Sequence, residues 1–426
     1  MQIIENANVK EKLFFEKLEN GMPVLIIPKR GMKKKYMIWG TYYGSNDNIF
    51  IVPGESKETR VPEGVAHFLE HKMFEQENGT NSLDVLTALG VEANAYTTND
   101  HTAYLFEGTT NFFEAMDELM NYVQNPYFTD ENVEKEKGII GQEIMMYDDY
   151  PDWKVYLNAM KAMYHNHSVK IDIVGTIDSI SKIDKEVLYK CYHTFYNPEN
   201  MVMVICGDFE PESLLEEVKK RLKPVEPIGE IKRIYPDEPT NIVKEKIEEQ
   251  MEVSQPMYTI GIKDKPIDHM ESNQIVQKEL AMQILLELLV GKSSYLYKEL
   301  YNKGSIYGGI GYSYEVSKSY AHILFSGQSN NPEEVYEMLK KQIEYFKKEG
   351  ISPKDFERIK RKIYGEYIEE YNDVGNIARM FLTDYFKGVN SFAYLEQIKN
   401  IRVENLIQLL EDVFNEDKMV ISIVRN

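Results

Sequence analysis

Apolar and polar positions follow the same order twice along this chain. The run Ala103-Tyr104-Leu105-Phe106-Glu107-Gly108 leads into a helical pattern from Phe112 to Asp148, which Phe128-Thr129-Asp130 breaks into a helix and a longer helix. Ala321-His322-Ile323-Leu324-Phe325-Ser326-Gly327 leads into the same succession from Pro332 to Asp373, broken at Ile351-Ser352-Pro353. Each half closes on an apolar run of strand length, Met201-Val202-Met203-Val204-Ile205 and Met419-Val420-Ile421-Ser422-Ile423-Val424. The repetition predicts an α+β fold of two duplicated domains, each a mainly antiparallel sheet with helices packed on one face. Residues 1–224 and 245–426 are the expected domains, joined by the charged, proline-bearing stretch 225–244.

The halves differ in chemistry. His67-Phe68-Leu69-Glu70-His71 places two imidazoles and a carboxylate within an arc of about 100° on one helical face. Two histidines at i and i+4 can hold a zinc ion and leave room for a third ligand and water, with the glutamate as general base. H-x-x-E-H reverses the commoner H-E-x-x-H order and is itself a metallopeptidase signature. Counting back from the matching glycines Gly90 and Gly304, the equivalent stretch of the second half is Met282-Gln283-Ile284-Leu285-Leu286, with no ligand in it. One half is expected to carry a metal site and the other the same scaffold without one. Spacing does not choose the third ligand, since Glu131, Glu134, Glu136 and Glu143 share one acidic helix. Glu136 and Glu143, seven apart, even share a stripe.

Composition narrows the partners. With 426 residues, 43% hydrophobic and 28% charged, the chain is globular and long enough for two domains. A net charge of −20 argues against nucleic acid, which needs a dense basic face. The only cysteines, Cys191 and Cys206, fall in a helix and a buried strand, so a reducing compartment is expected. The N-terminal residues lack the basic-then-apolar pattern of a secretory signal, and no run of 18 apolar residues occurs; a cytoplasmic protein without a membrane partner is expected.

Glu63-Gly64-Val65-Ala66-His67-Phe68-Leu69-Glu70-His71-Lys72-Met73-Phe74 resembles the active-site helix of the pitrilysin and insulinase family of zinc peptidases. The likeness is to its half-length branch, which includes mitochondrial processing peptidase and bacterial two-subunit relatives. Asn94-Ala95-Tyr96-Thr97, followed by Thr102-Ala103-Tyr104, is similar to the family's substrate-pairing edge strand. Glu136 through Glu143, then Tyr147-Asp148 and Pro151, is similar to the segment that supplies the third ligand; Gly175-Thr176-Ile177 and Tyr196-Asn197-Pro198-Glu199-Asn200-Met201 continue the likeness.

The resemblance implies a zinc ion held by His67, His71 and Glu143, with Glu70 as the catalytic base. Glu136 joins it in the catalytic group, supporting the site from behind the ligands or through the reacting water. It implies hydrolysis of extended peptides or leader segments that add a strand beside Asn94, Ala95, Tyr96 and Thr97. Family members often offer an Arg and a Tyr from the second domain; here Tyr307 stands at the tyrosine position, but Tyr301 replaces the arginine. A separate half-length partner carrying that pair, in a heterodimer, is therefore expected to complete the site of this catalytic subunit, with a homodimer as the other assembly considered. The competing reading is a structural subunit that uses the same scaffold to hold a larger complex. Among the other histidines, His165 and His167 read as a polar turn, and His101 lies close enough to the edge strand to meet substrate.

Overall fold

The computed structural model describes residues 1–426, which divide into two compact units. The first comprises 1–144, 172–235 and 370–391, and the second 145–171, 236–369 and 392–426. No helix is long and apolar enough to cross a membrane.

The first unit is built on a seven-stranded sheet. Its order is Gln2–Asn6, Glu11–Lys17, Pro23–Pro28, Met201–Gly207, Lys35–Thr41, Thr102–Gly108 and Glu92–Thr97. Only Pro23–Pro28 and Met201–Gly207 pair in parallel. All seven residues of Met201–Gly207 are buried, as its unbroken apolar run requires of a central strand. Glu92–Thr97 forms the far edge and pairs only with Thr102–Gly108.

The second unit repeats five of those strands: Lys246–Gln250, Met419–Arg425, Met257–Asp264, Ala321–Ser329 and Ile306–Val316. Its one parallel pair, Lys246–Gln250 with Met419–Arg425, corresponds to Pro23–Pro28 with Met201–Gly207 in the first unit. The duplicated α+β plan is thus carried by strand order as well as by sequence pattern. Gly90 and Gly304, at φ 77° and 69°, each follow a short helix and precede the edge strand, where a left-handed residue ends the helix without a Cβ clash. Cys191 and Cys206 are both free and buried, in the Lys185–Phe195 helix and the Met201–Gly207 strand.

Each unit also takes in one helix from the other half of the chain. In the first, Val374–Lys387 lies against Lys35–Thr41 and Met201–Gly207. A Cβ on Gly40 would come within 2.8 Å of Leu382, and Arg379 donates to the Tyr36 hydroxyl at 2.9 Å. Thr41, on the opposite side of the same strand, donates to the Phe195 carbonyl, so helices cover both faces here. In the second unit, Pro151–Met163 packs on Met257–Asp264 and Met419–Arg425, and Met163 fills the space a side chain at Gly261 would need.

An ion cluster joins two strands and a helix of the second unit. Glu333 accepts from Lys246 at 2.9 Å and from Arg425, while Arg425 also reaches Glu248. Burial opposes its charge, but these two cations outweigh it and hold the Glu333 carboxyl down at about 2, against an ordinary 4.5. A carboxyl depressed on folding stabilises above its ordinary pKa, and the contribution is lost as pH falls through the folded value. Glu333→Gln is therefore expected to lower the melting temperature at pH 7, with the difference from the parent closing between pH 4.5 and 2. Parallel melting curves over that range check it; a gap independent of pH would contradict it.

Candidate metal centre

The Val65–Lys72 helix starts at a close crossing of two backbones. A Cβ on Gly64 (φ 89°) would sit 2.6 Å from the Val174 carbonyl oxygen, and one on Gly175 (φ 78°) 2.6 Å from that of Glu63. Ser179 ties the crossing by donating to the Glu63 carbonyl at 2.9 Å. Only glycine fits both positions, so the helix that carries the two histidines begins at a fixed point. Seven of its eight residues are buried. It packs on the Glu92–Thr97 and Thr102–Gly108 strands.

The Asp130–Asp148 helix brings its carboxylates to this face. One Glu143 oxygen lies 3.7 Å from His67 Nε2 and the other 3.7 Å from His71 Nε2. One ligand atom from each of the three residues falls within 4.8 Å of the others. The imidazole rings stand 4.5 Å apart, tilted by 55°. Glu136, one stripe position earlier, approaches His71 from behind, with Oε1 3.1 Å from Nδ1. As acceptor, that carboxylate makes Nδ1 the protonated nitrogen and leaves the Nε2 lone pair toward Glu143. The two glutamates that spacing left equivalent therefore stand in different places.

Electrostatics suit a cation. Burial, then the neighbouring His71, push His67 down to about 3, so its ring is neutral at physiological pH. Burial opposes charge on His71 too, but the Glu136 hydrogen bond and the carboxylates of Glu70, Glu136 and Glu143 leave its pKa raised. Burial raises Glu143 against the pull of His71. Burial likewise raises Glu136, but its bonds to His71 and the charge of Lys72 bring it below the ordinary value. Two imidazoles and a carboxylate, with both Nε2 atoms turned to one point, form a donor set that fits zinc.

Glu70 is buried on the same helical face, and its Oε2 accepts from the Thr97 hydroxyl at 2.6 Å. Burial raises its pKa, with Thr97 and His71 pulling the other way. Thr97 was expected among the residues that meet substrate; its hydroxyl is engaged with Glu70 and lies 3.2 Å from that of Thr102. Asn94, Ala95 and Tyr96 lie on the edge strand, with Asn94 Oδ1 accepting from the Ala95 amide at 2.9 Å. Tyr307 and Tyr301 belong to the second unit, both exposed, with Tyr301 stacked on Tyr297 at 5.7 Å. His101 is buried against Tyr96 and Phe386, and burial pushes it down to about 4: it is a neutral core histidine. The amides of His165, Asn166 and His167 converge on the Glu238 carboxylate at 2.7–2.9 Å, which makes that segment the polar turn expected of it.

In the second unit, Met282, Ile284, Leu285 and Leu286 are buried apolar residues of the Ser272–Val290 helix. Lys72, directly after the motif, is fully buried, and sequence reasoning passed over it.

Residues 45–177 match the family model described as Insulinase (Peptidase family M16), and residues 182–363 the one described as Peptidase M16 inactive domain. The Bacillus subtilis protein named as the zinc protease YmfH is 36% identical over 420 residues, covering 98% of this chain and 97% of its own. The chain belongs to peptidase family M16. A second B. subtilis protein, named as the zinc protease YmxG, is 23% identical over 87% of this chain and 90% of its own. Among solved structures, an M16-like peptidase from Alicyclobacillus acidocaldarius superposes with a TM-score of 0.93 at 33% identity, covering 97% of this chain and 98% of the other. The M16 peptidase-domain match contains His67, Glu70, His71, Glu136 and Glu143, and the inactive-domain match contains none of them.

Proposed function

We propose that this M16 chain is a zinc metalloendopeptidase of extended peptides or leader segments, working as the catalytic subunit of a two-subunit enzyme. The observation that carries the reading is the convergence of His67 Nε2, His71 Nε2 and both Glu143 oxygens beside the buried Glu70. His67, His71 and Glu143 would hold the ion. Bound zinc supplies Lewis acidity, acidifying water and polarising a peptide carbonyl. Glu70 takes the proton from the attacking water and returns it to the leaving amine. Thr97 holds one Glu70 oxygen and so leaves the other to carry the proton. The outer side of Glu92–Thr97 has no strand partner, and an extended peptide can pair there through its backbone at Asn94, Ala95 and Tyr96. Such binding tolerates varied side chains and disfavours folded substrates.

Thr97→Val is expected to lower kcat ~10- to 100-fold with little change in KM, the loss of a hydrogen bond to a charged group being worth about 1.5–3 kcal/mol. Steady-state kinetics on a quenched peptide check it; a rise in KM alone would make Thr97 a substrate contact.

Tyr301 at the arginine position supports the two-subunit reading, with Tyr307 as the remaining substrate contact of the pair. The purified chain alone is expected to bind zinc and to cleave at least ~100-fold more slowly than with a half-length partner, since lost positioning contacts can cost that much. Co-purification from the native host, followed by a quenched-peptide assay with and without chelator, tests this. The expected result is a 1:1 complex whose activity chelation removes and zinc restores. Full activity of the single chain would contradict the partner, and activity indifferent to chelation would contradict the metal.

The scaffold-subunit alternative draws on the inactive-domain match over residues 182–363. The candidate ligands and base lie outside that segment, and a purely structural subunit has no use for a complete set of them.

A further inference from the structure

Lys72 is a buried charged group at this site to which the proposed reaction gives no work. It closes the Val65–Lys72 helix, its side chain is only 1% exposed, and it is among the largest fully buried side chains of the chain. A lysine is almost never buried to this degree without paired acceptors. Here its ammonium donates to Glu75 Oε2 and lies 3.6 Å from Glu136 Oε2. Glu136 thus has its two oxygens divided, Oε2 toward Lys72 and Oε1 3.1 Å from His71 Nδ1. The three groups form a line from buried cation to carboxylate to imidazole, ending at the Nε2 atom that faces Glu143.

From this geometry we infer that Lys72 is a positioning residue for metal binding: it fixes the Glu136 carboxylate, which in turn fixes the ring orientation and Nδ1–H tautomer of His71. A carboxylate behind a ligating histidine helps only while its oxygen stays in line with the ring nitrogen. Glu136 sits on the long Asp130–Asp148 helix at the end of a flexible side chain, and His71 alone restrains one of its oxygens. Lys72 restrains the other. Because His71 and Lys72 are neighbours on one rigid helical turn, the carboxylate is held at two points whose separation the helix sets. Glu75, more exposed than Glu136, is the outer acceptor that completes the pairing of the ammonium.

The inference rests on the proposed zinc site, and zinc affinity of the full chain, measured by competition with a chromophoric chelator, tests it without any need for turnover. Lys72→Met is expected to weaken zinc binding ~10- to 100-fold, the range for a partner outside the ligand set. Glu136→Gln is expected to weaken it similarly, and the double variant no further than Glu136→Gln alone, because Lys72 acts through Glu136. Lys72→Arg keeps the cation and should stay within about threefold of the parent. Should Lys72→Met fail to fold, Lys72→Arg decides: a folded Lys72→Arg with a tenfold loss overturns the inference. It is equally overturned if Lys72→Met binds within twofold of the parent, or if the two losses add in the double variant. A parent that binds no zinc would instead remove the proposed site itself, so the two failures are distinguishable.

Discussion

Glu70→Gln is expected to keep zinc and lose peptide cleavage by about 10²- to 10⁴-fold, the span a positioned general base contributes. The amide has the shape of the carboxylate, and its carbonyl oxygen can still accept from the Thr97 hydroxyl that now binds Oε2 at 2.6 Å. It cannot take a proton. Burial already raises the Glu70 carboxyl above its ordinary value, which brings the base toward the neutral range where it must both accept and release. Metal content of the purified variant, with its rate on a quenched peptide beside the partner subunit, separates the two effects. Turnover within tenfold of the parent would remove Glu70 from the base role.

The second large effect is on metal binding. His71→Ala deletes an imidazole whose Nε2 faces Glu143 and leaves Glu136 without its ring partner. Glu143→Gln removes the one carboxylate whose two oxygens approach both histidines at 3.7 Å. Each is expected to weaken zinc by more than the ~10- to 100-fold that an outer partner is worth, and so to lower the metal-to-protein ratio of the purified chain. Both variants should retain the parental fold, because a loss confined to the centre leaves the sheet and its apolar core intact. Parental zinc affinity in both would mean that the ion, if bound, sits elsewhere.

The histidine helix and the apolar strands were legible in the sequence because their signals are local, whereas the edge strand was implied only by the family resemblance. His67, Glu70 and His71 need only the helical period to share a face, and the apolar runs ending near Gly108, Gly207 and Gly327 need only length to be strands. The duplication was legible for the same reason, and strand order extends it to five matching strands in each unit. What could not be read depends on where distant segments meet. Glu136 and Glu143 lie on one stripe of one helix, and only the angle at which that helix crosses the histidine helix puts one behind His71 and the other between the two rings. The exchange of Pro151–Met163 and Val374–Lys387 between the units is likewise silent in the periodicity, which marks an apolar face but not the sheet that receives it. The boundary at 225–244 was an expectation from composition, and the segments of the two compact units alternate along the chain on both sides of it. Lys72 was passed over and the Thr97–Glu70 bond was not foreseen for one reason: a lone Lys and a strand-end Thr give no sign in the sequence of the carboxylates opposite them.

All of these expectations at the metal centre depend on one zinc ion bound among His67, His71 and Glu143. Anomalous diffraction at the zinc edge, from crystals of the chain purified without added chelator, tests it most directly. The expected result is a single strong peak at ligand distance from both Nε2 atoms and the Glu143 carboxylate, and its loss in crystals of His71→Ala. A parent crystal with no peak there, or with its only peak at other residues, would contradict it.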